Sequence, residues 1–149
     1  VLTINLDKKE KKMKKLFALI MLAMALQTAQ AQYDGDYKII FQLVTADTTA
    51  HKALMKQISN ITSVAPQTQI EVVCHGPGLQ MLVKGSTVVG DKIAQFTEKG
   101  VKFNACEFSM KERNVAKENI LPQAGYVQAG ILEIVSKQQQ GWFYIKAGF

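Results

Sequence analysis

Apolar positions along this chain alternate between a period of two and a period of about one helical turn. In "YKIIFQLV", Tyr37 to Val44, β-branched and aromatic residues occupy both faces, the pattern of a strand covered on two sides. "TADTTAHKALMKQISNI" then repeats Ala50, Leu54, Ile58 and Ile61 along one helix face, with Asp47, Thr48 or Thr49 as N-cap and Pro66 as the stop. "QIEVVCHGPG", Gln69 to Gly78, reads as a second strand ended by a His-Gly-Pro-Gly turn, because Pro77 and two glycines cannot continue a ladder. "LQMLVKG" predicts one or two short helical turns, "VGDKIAQFTEKG" an amphipathic helix with Asp91 near its start and Gly100 as its stop, and "VKFNACEF" a third strand. Beyond it, "KERNVAKENILPQ" predicts a helix closed by Pro122, "GYVQAG" a very short strand, "AGILEIVSKQQQG" a helix and "WFYIKAG" a final aromatic strand.

Strands separated by helices imply parallel neighbours joined by right-handed crossovers. The fold class expected is therefore α/β: a three-layer, open, mostly parallel five-stranded sheet with helices on both faces. In such a sheet ligands bind beyond the carboxyl ends of the strands.

Composition changes this picture mainly at the N-terminus. The 149 residues are 48% hydrophobic and 20% charged, as in one ordinary globular domain. Of the net charge of +6, residues 7–15 carry +4, through six lysines set against Asp7 and Glu10. The rest of the chain is near neutral and has no basic stripe, which argues against a nucleic-acid partner. Lys14 and Lys15 precede an apolar run, Leu16 to Leu26, and an Ala29-Gln30-Ala31 motif, the layout of a cleavable signal peptide. That run is about half the ~20 residues a membrane span needs. The expectation is a leader over residues 1–31 with its start at Met13, a single domain over 32–149, export to the periplasm or beyond, and no stable membrane anchor after cleavage.

Candidate chemistry gathers in the loops after the first three strands. Cys106 follows Lys102 and Asn104 on the more polar face of its strand, near Lys111 and Arg113, whose charge favours a thiolate, and near Glu107 and Glu112, which oppose it. It reads either as a reactive thiol or as a small apolar residue at a strand end. His75 is placed to reach the same cleft as half of a Cys/His pair, or to bond to its own turn. Thr48, His51, Gly76, Gly78, Asn104 and Arg113 are the ligand-binding candidates around them, although His51, one turn into a helix, also reads as a solvated histidine. Two cysteines and two histidines at scattered positions lack metal-site spacing, so no metal is expected. Without a G-x-x-x-x-G-K-[ST], G-x-G-x-x-G or G-x-S-x-G pattern, no nucleotide, cofactor or hydrolase elbow is expected either. A Cys74 to Cys106 disulfide remains open if their strands are neighbours. The aromatic end "GWFYIKAGF" reads as core or as a subunit contact.

The ordered set "CHGPGLQML", "KGVKFNAC" and "LPQAGYVQAGILEIVSKQQQGWFYIKAG" resembles the DsrE/DsrF-like family of sulfur-relay and related proteins. The resemblance spans Tyr37 to Phe149 and implies an α/β sandwich that assembles as dimers, trimers or hexamers. In the sulfur-transferring members a cysteine after the third strand carries a persulfide, and Cys106 matches that position. His75 matches a frequent family histidine. The chain departs at Glu107-Phe108-Ser109, where the branch often has an Asn-Thr or Asn-Ser step, and in its export signal. The resemblance and the leader together imply an exported persulfide carrier with a sulfur donor or acceptor protein as partner. The alternative is a non-enzymatic homo-oligomeric module binding a small ligand or protein around Thr48, His75 and Cys106.

Overall fold

The period-two runs become the strands of one sheet in the computed structural model of the chain, which describes residues 2–26, 33 and 35–148. Two compact units are present, Val1–Gln32 and Tyr33–Phe149. The first holds helix α1 (Leu2–Leu26), where Lys14 pairs with Glu10 one turn earlier at 2.9 Å and Leu16, Phe17 and Leu19 are exposed. Among the described residues no helix is long and apolar enough to cross a membrane. The Ala29-Gln30-Ala31 motif lies outside the described residues.

The second unit runs β1 (Lys38–Leu43), α2 (Thr48–Val64), β2 (Gln69–Cys74), a 3₁₀ segment (Gly76–Leu82), α3 (Gly90–Glu98), β3 (Lys102–Cys106), α4 (Glu107–Glu112), a 3₁₀ turn (Lys117–Asn119), β4 (Gly125–Val127), α5 (Gly130–Gln139) and β5 (Phe143–Ala147). All neighbouring strands are parallel, in the order β4-β3-β2-β1-β5. This is the expected α/β architecture. Its layering follows from crossover handedness: β1 to β4 step one way across the sheet, so α2 and α3 fall on one face, while the return from β4 to β5 puts α5 on the other.

The two faces are unequal. On the first, Phe41, Leu43, Val72, Cys74 and Phe103 pack with Leu54 and Ile58 of α2, Leu79 and Met81 of the 3₁₀ segment, and Ile93 of α3. On the second, the buried apolar cluster among the described residues is Ile40, Val73 and Ile134, flanked by Val127 and Trp142. That thinner layer is held by charge. Glu71 on β2, 1% exposed, accepts from Asn104 Nδ2 at 2.8 Å and pairs with Lys137 Nζ of α5 at 2.9 Å. Lys137 also stands 4.7 Å above the Trp142 ring.

Asp47 caps α2 by accepting from the Thr49 N–H at 2.8 Å, one of the three capping options in the sequence. The helix expected across "KERNVAKENILPQ" forms differently. α4 begins earlier, at Glu107, and stops at Glu112, because Asn114 takes a left-handed conformation with φ 52°. After the short 3₁₀ turn, Ile120 pairs in antiparallel fashion with Val83, which a continuous helix would forbid.

Glu71 sits buried with its full charge matched by Lys137, so removing the lysine strands a carboxylate. Lys137→Met should lower unfolding stability by about 2–3 kcal/mol in urea titrations, less than for a fully buried pair because Lys137 reaches solvent; Glu71→Gln combined with Lys137→Met should recover part of it. Burial pulls the Lys137 pKa down, but the bond and charge of Glu71 outweigh it and the net shift is upward. The pair therefore stabilises the fold at neutral pH and loses that effect as pH rises above the ordinary lysine range.

Candidate functional site

Strand register brings His75 and Cys106 to one corner of the sheet. Val73 is paired with Asn104, so both point to the α5 face, and two residues further along each chain stand His75 and Cys106. His75 is extended and its N–H bonds to Leu43 O at 3.1 Å, which prolongs the ladder and keeps the alternation valid past the end of β2. The first residue of α5 closes the corner from above. A Cβ at Gly130 would lie 3.0 Å from Val73 Cγ1, 3.2 Å from His75 Cβ and 3.4 Å from Cys106 Cβ, so any larger residue would press on all three side chains.

That approach aims the Gly130 N–H at Cys106 Sγ, at 3.3 Å. Cys106 is also the residue before α4, where it makes no side-chain capping bond; the Phe108 N–H donates to Gln128 O at 3.3 Å, and the thiol lies 4.0 Å from the same carbonyl oxygen. Burial, at 4% exposure, pushes the thiol pKa up and is the largest single influence. The Ser109 hydroxyl and the backbone N–H groups of Ser109, Gly130 and Phe108 together outweigh it, so the thiol ends below its ordinary value. The site is built to hold an anionic sulfur.

Ser109 owes its orientation to the His-Gly-Pro-Gly turn. The Gly76 N–H donates to Ser109 Oγ at 2.8 Å, so the hydroxyl keeps its own proton to donate. Gly76 stands at φ 52°, a conformation that favours glycine. His75 is partly buried, and that burial pulls its pKa down, favouring the neutral ring. Its Nε2 lies 2.8 Å from Gln42 Nε2, and the Tyr144 hydroxyl hydrogen-bonds to Gln42 Oε1.

The acidic neighbour of the thiol has a counter-charge. Glu107 pairs with Lys117 Nζ at 2.8 Å, and Lys117 lies 4.7 Å above the Tyr126 ring. Its opposition to a thiolate is correspondingly reduced.

Of the residues singled out in the sequence, Cys106, His75 and Gly76 come together here. Gly78 packs instead: a Cβ there would collide with the Leu43 carbonyl. Asn104 supports Glu71 rather than a ligand. Arg113 is exposed just beyond the C-terminal end of α4, and Thr48 is exposed at the start of α2 on the opposite face. His51 is not a solvated helix histidine. It is 1% exposed and its Nε2–H donates to Thr45 O at 2.8 Å, because the buried stripe of α2 is wide enough to include it beside Ala50. The disulfide is also ruled out in this arrangement: Cys74 pairs in register with Ala105, so Cys106, one step on, points to the other face, and both thiols are free. Burial pushes Cys74 far up, leaving it inert. Sequence reasoning passes over Ser109 and Gly130, although the Cys-x-x-Ser spacing at a helix start is a usable signal. Among the described residues, no group of three or more His, Cys, Asp or Glu side chains is placed to hold a metal ion.

A family model matches residues 7–147, that of the DsrE/DsrF-like family. The chain belongs to the DsrE/DsrF-like family. Solved structures agree with the assignment. The chain is similar to MTH1491 of Methanobacterium thermoautotrophicum, a protein of unknown function, with a TM-score of 0.71, 25% identity, and coverage of 74% of this chain and 99% of that one. BT1422 of Bacteroides thetaiotaomicron, also of unknown function, superposes with a TM-score of 0.61 at 16% identity, covering 79% of this chain and 98% of that one, a likeness of fold alone. No curated protein matches significantly.

Two substitutions separate the influences on the thiol of this DsrE/DsrF-like protein. Ser109→Ala removes the side-chain donor and Lys117→Gln leaves Glu107 uncompensated, so both should raise the Cys106 pKa, the serine change more. The pH dependence of alkylation in a Cys74→Ser background would read it, and an unchanged profile in Ser109→Ala would show that the hydroxyl does not act on the thiol.

Proposed function

We propose that this DsrE/DsrF-like protein is an exported sulfur carrier in which Cys106 takes up a persulfide sulfur from a donor protein and passes it to an acceptor. Family membership supports a sulfur-relay type of function in general. The observation that carries the finer reading is the Gly130 N–H aimed at Cys106 Sγ at 3.3 Å, beside a Ser109 whose polar groups favour the thiolate. In the forward step the Cys106 thiolate attacks the outer sulfur of a donor persulfide; the new S–S bond forms as the donor's breaks, the donor leaves as a thiolate, and Cys106 becomes a persulfide. No net oxidant is needed. The Gly130 N–H then faces the sulfur through which the persulfide is delivered onward.

Export rests on the leader pattern of Lys14, Lys15 and the following apolar run, and it places the partners outside the cytoplasm. Homo-oligomeric assembly is supported by uncovered apolar surface on both faces of the sheet. The edge strand β5 exposes Phe143 at 67%, and α5 exposes Leu132 at 68%, with Ile131, Val135 and Ile145 also open. The same surface supports the second reading, a homo-oligomeric module that binds a protein or small ligand without transferring sulfur.

Reduced protein incubated with a low-molecular-weight persulfide should gain the mass of one sulfur atom, retain the gain in Cys74→Ser and lose it in Cys106→Ala. A gain that persists in Cys106→Ala would refute the carrier assignment, and no gain at all would favour the binding module. Light scattering should give an oligomer that Leu132→Glu or Phe143→Asp shifts toward monomer; a strictly monomeric parent protein would overturn the assembly.

A further inference from the structure

Four strands contribute to one row of side chains along the carboxyl edge of the α5 face. Gln42 on β1 is in register with Val73 on β2 and Lys146 on β5, so His75, two past Val73, and Tyr144, two before Lys146, share its face diagonally. Cys106 continues the row on β3, with Gly130 seated between it and His75. Three of these side chains are linked: Tyr144 O–H to Gln42 Oε1, and Gln42 Nε2 to His75 Nε2 at 2.8 Å.

The direction of this chain follows from donor and acceptor strength. A phenolic O–H is a good donor and an amide carbonyl a good acceptor, whereas a phenol oxygen is a poor acceptor for an amide N–H. Tyr144 therefore donates to the carbonyl oxygen of Gln42, which turns the amide N–H₂ toward His75. Since that group can only donate, His75 Nε2 must accept. Each bond polarises the next in the same sense.

We propose that Gln42 and Tyr144 are positioning residues that lock His75 in its neutral Nδ1–H tautomer. With Nε2 occupied as an acceptor, the ring presents a proton from Nδ1 and has no free lone pair. In that tautomer His75 has a proton to offer at Nδ1 and no free ring nitrogen with which to act as a base. The partial burial of the imidazole works in the same direction by favouring the uncharged ring. The purpose of this lock rests on the sulfur-carrier reading, whereas its existence does not.

The test is the ¹⁵N chemical-shift pattern of His75 in labelled full-length protein, at a pH where the imidazole is neutral, with His51→Gln to assign the signals. The parent should show predominantly Nδ1–H. Tyr144→Phe, which alters only a hydroxyl on a side chain that is 40% exposed, frees the amide to turn over. The Nδ1–H to Nε2–H ratio should then fall at least about fivefold, the bias that one net hydrogen bond supplies. Gln42→Glu offers only acceptors and should invert the tautomer to Nε2–H or charge the ring. A parent in the Nε2–H form, or a Tyr144→Phe spectrum identical to the parent's, overturns the proposal. Should the tautomers respond as described while Cys106 accepts no sulfur, the positioning stands and the carrier reading falls. Sulfur uptake with the opposite tautomer removes the positioning alone.

Discussion

The chemistry of the thiol depends on how closely α5 approaches the sheet at Gly130. Of the described crossover helices it alone lies on its face of the sheet, and its first N–H reaches Cys106 Sγ with no Cβ pressing on Val73, His75 and Cys106. The approach is set at the other end of the helix by the Glu71 to Lys137 pair, which holds α5 down over a layer with few buried apolar side chains. Charge does here what apolar packing does on the α2 face. A helix fixed by a buried ion pair has its register fixed as well, since a one-residue slip would leave Glu71 unpaired.

The two cysteines show how much of thiol chemistry is environment. They lie at the ends of neighbouring strands, yet strand alternation sends them to opposite faces. Cys74 enters the large apolar core, where nothing stabilises its anion and burial drives its pKa far up. Cys106 is almost as buried but accepts from the Gly130 N–H and lies beside Ser109, and for it hydrogen bonding outweighs desolvation. Burial that makes one thiol inert leaves the other protected from bulk solvent but still able to ionise.

Much of the fold is legible in the sequence because strand and helix periods are local properties. The β-α alternation, the Asp47 cap region and the breaks at Pro66 and Gly100 all follow from side chains near one another in sequence. The run after Cys106 misleads because "KERNVAKENILPQ" has helical composition, while the pairing of Ile120 with Val83 is long-range and decides the backbone there. His51 misleads for a similar reason: whether a helix residue is solvated depends on what packs against it. At the site, Cys106 and His75 are legible from the rule that βα loops carry ligands. Ser109 and Gly130 are not, because their roles arise only where the Gly76 turn and the start of α5 meet Cys106. Glu107 looks like an obstacle to a thiolate until it is paired with Lys117, ten residues on.

The row from Tyr144 to Cys106 gives the bare edge of the sheet a chemical connection to its interior. β5 is an edge strand whose partner β1 lies next to β2, so a hydroxyl on the outermost strand is only two hydrogen bonds from the imidazole beside the thiol. Phe143 and Ile145 flank that tyrosine on the opposite face of the same strand and are exposed. A surface that covers the Tyr144 face of β5 removes water from the phenol. In a drier setting the phenol loses its competing partners and its bond to Gln42 strengthens, which holds the imidazole more firmly in one tautomer. Tyr144 and His75 are thus coupled through a single amide side chain, without movement of the backbone.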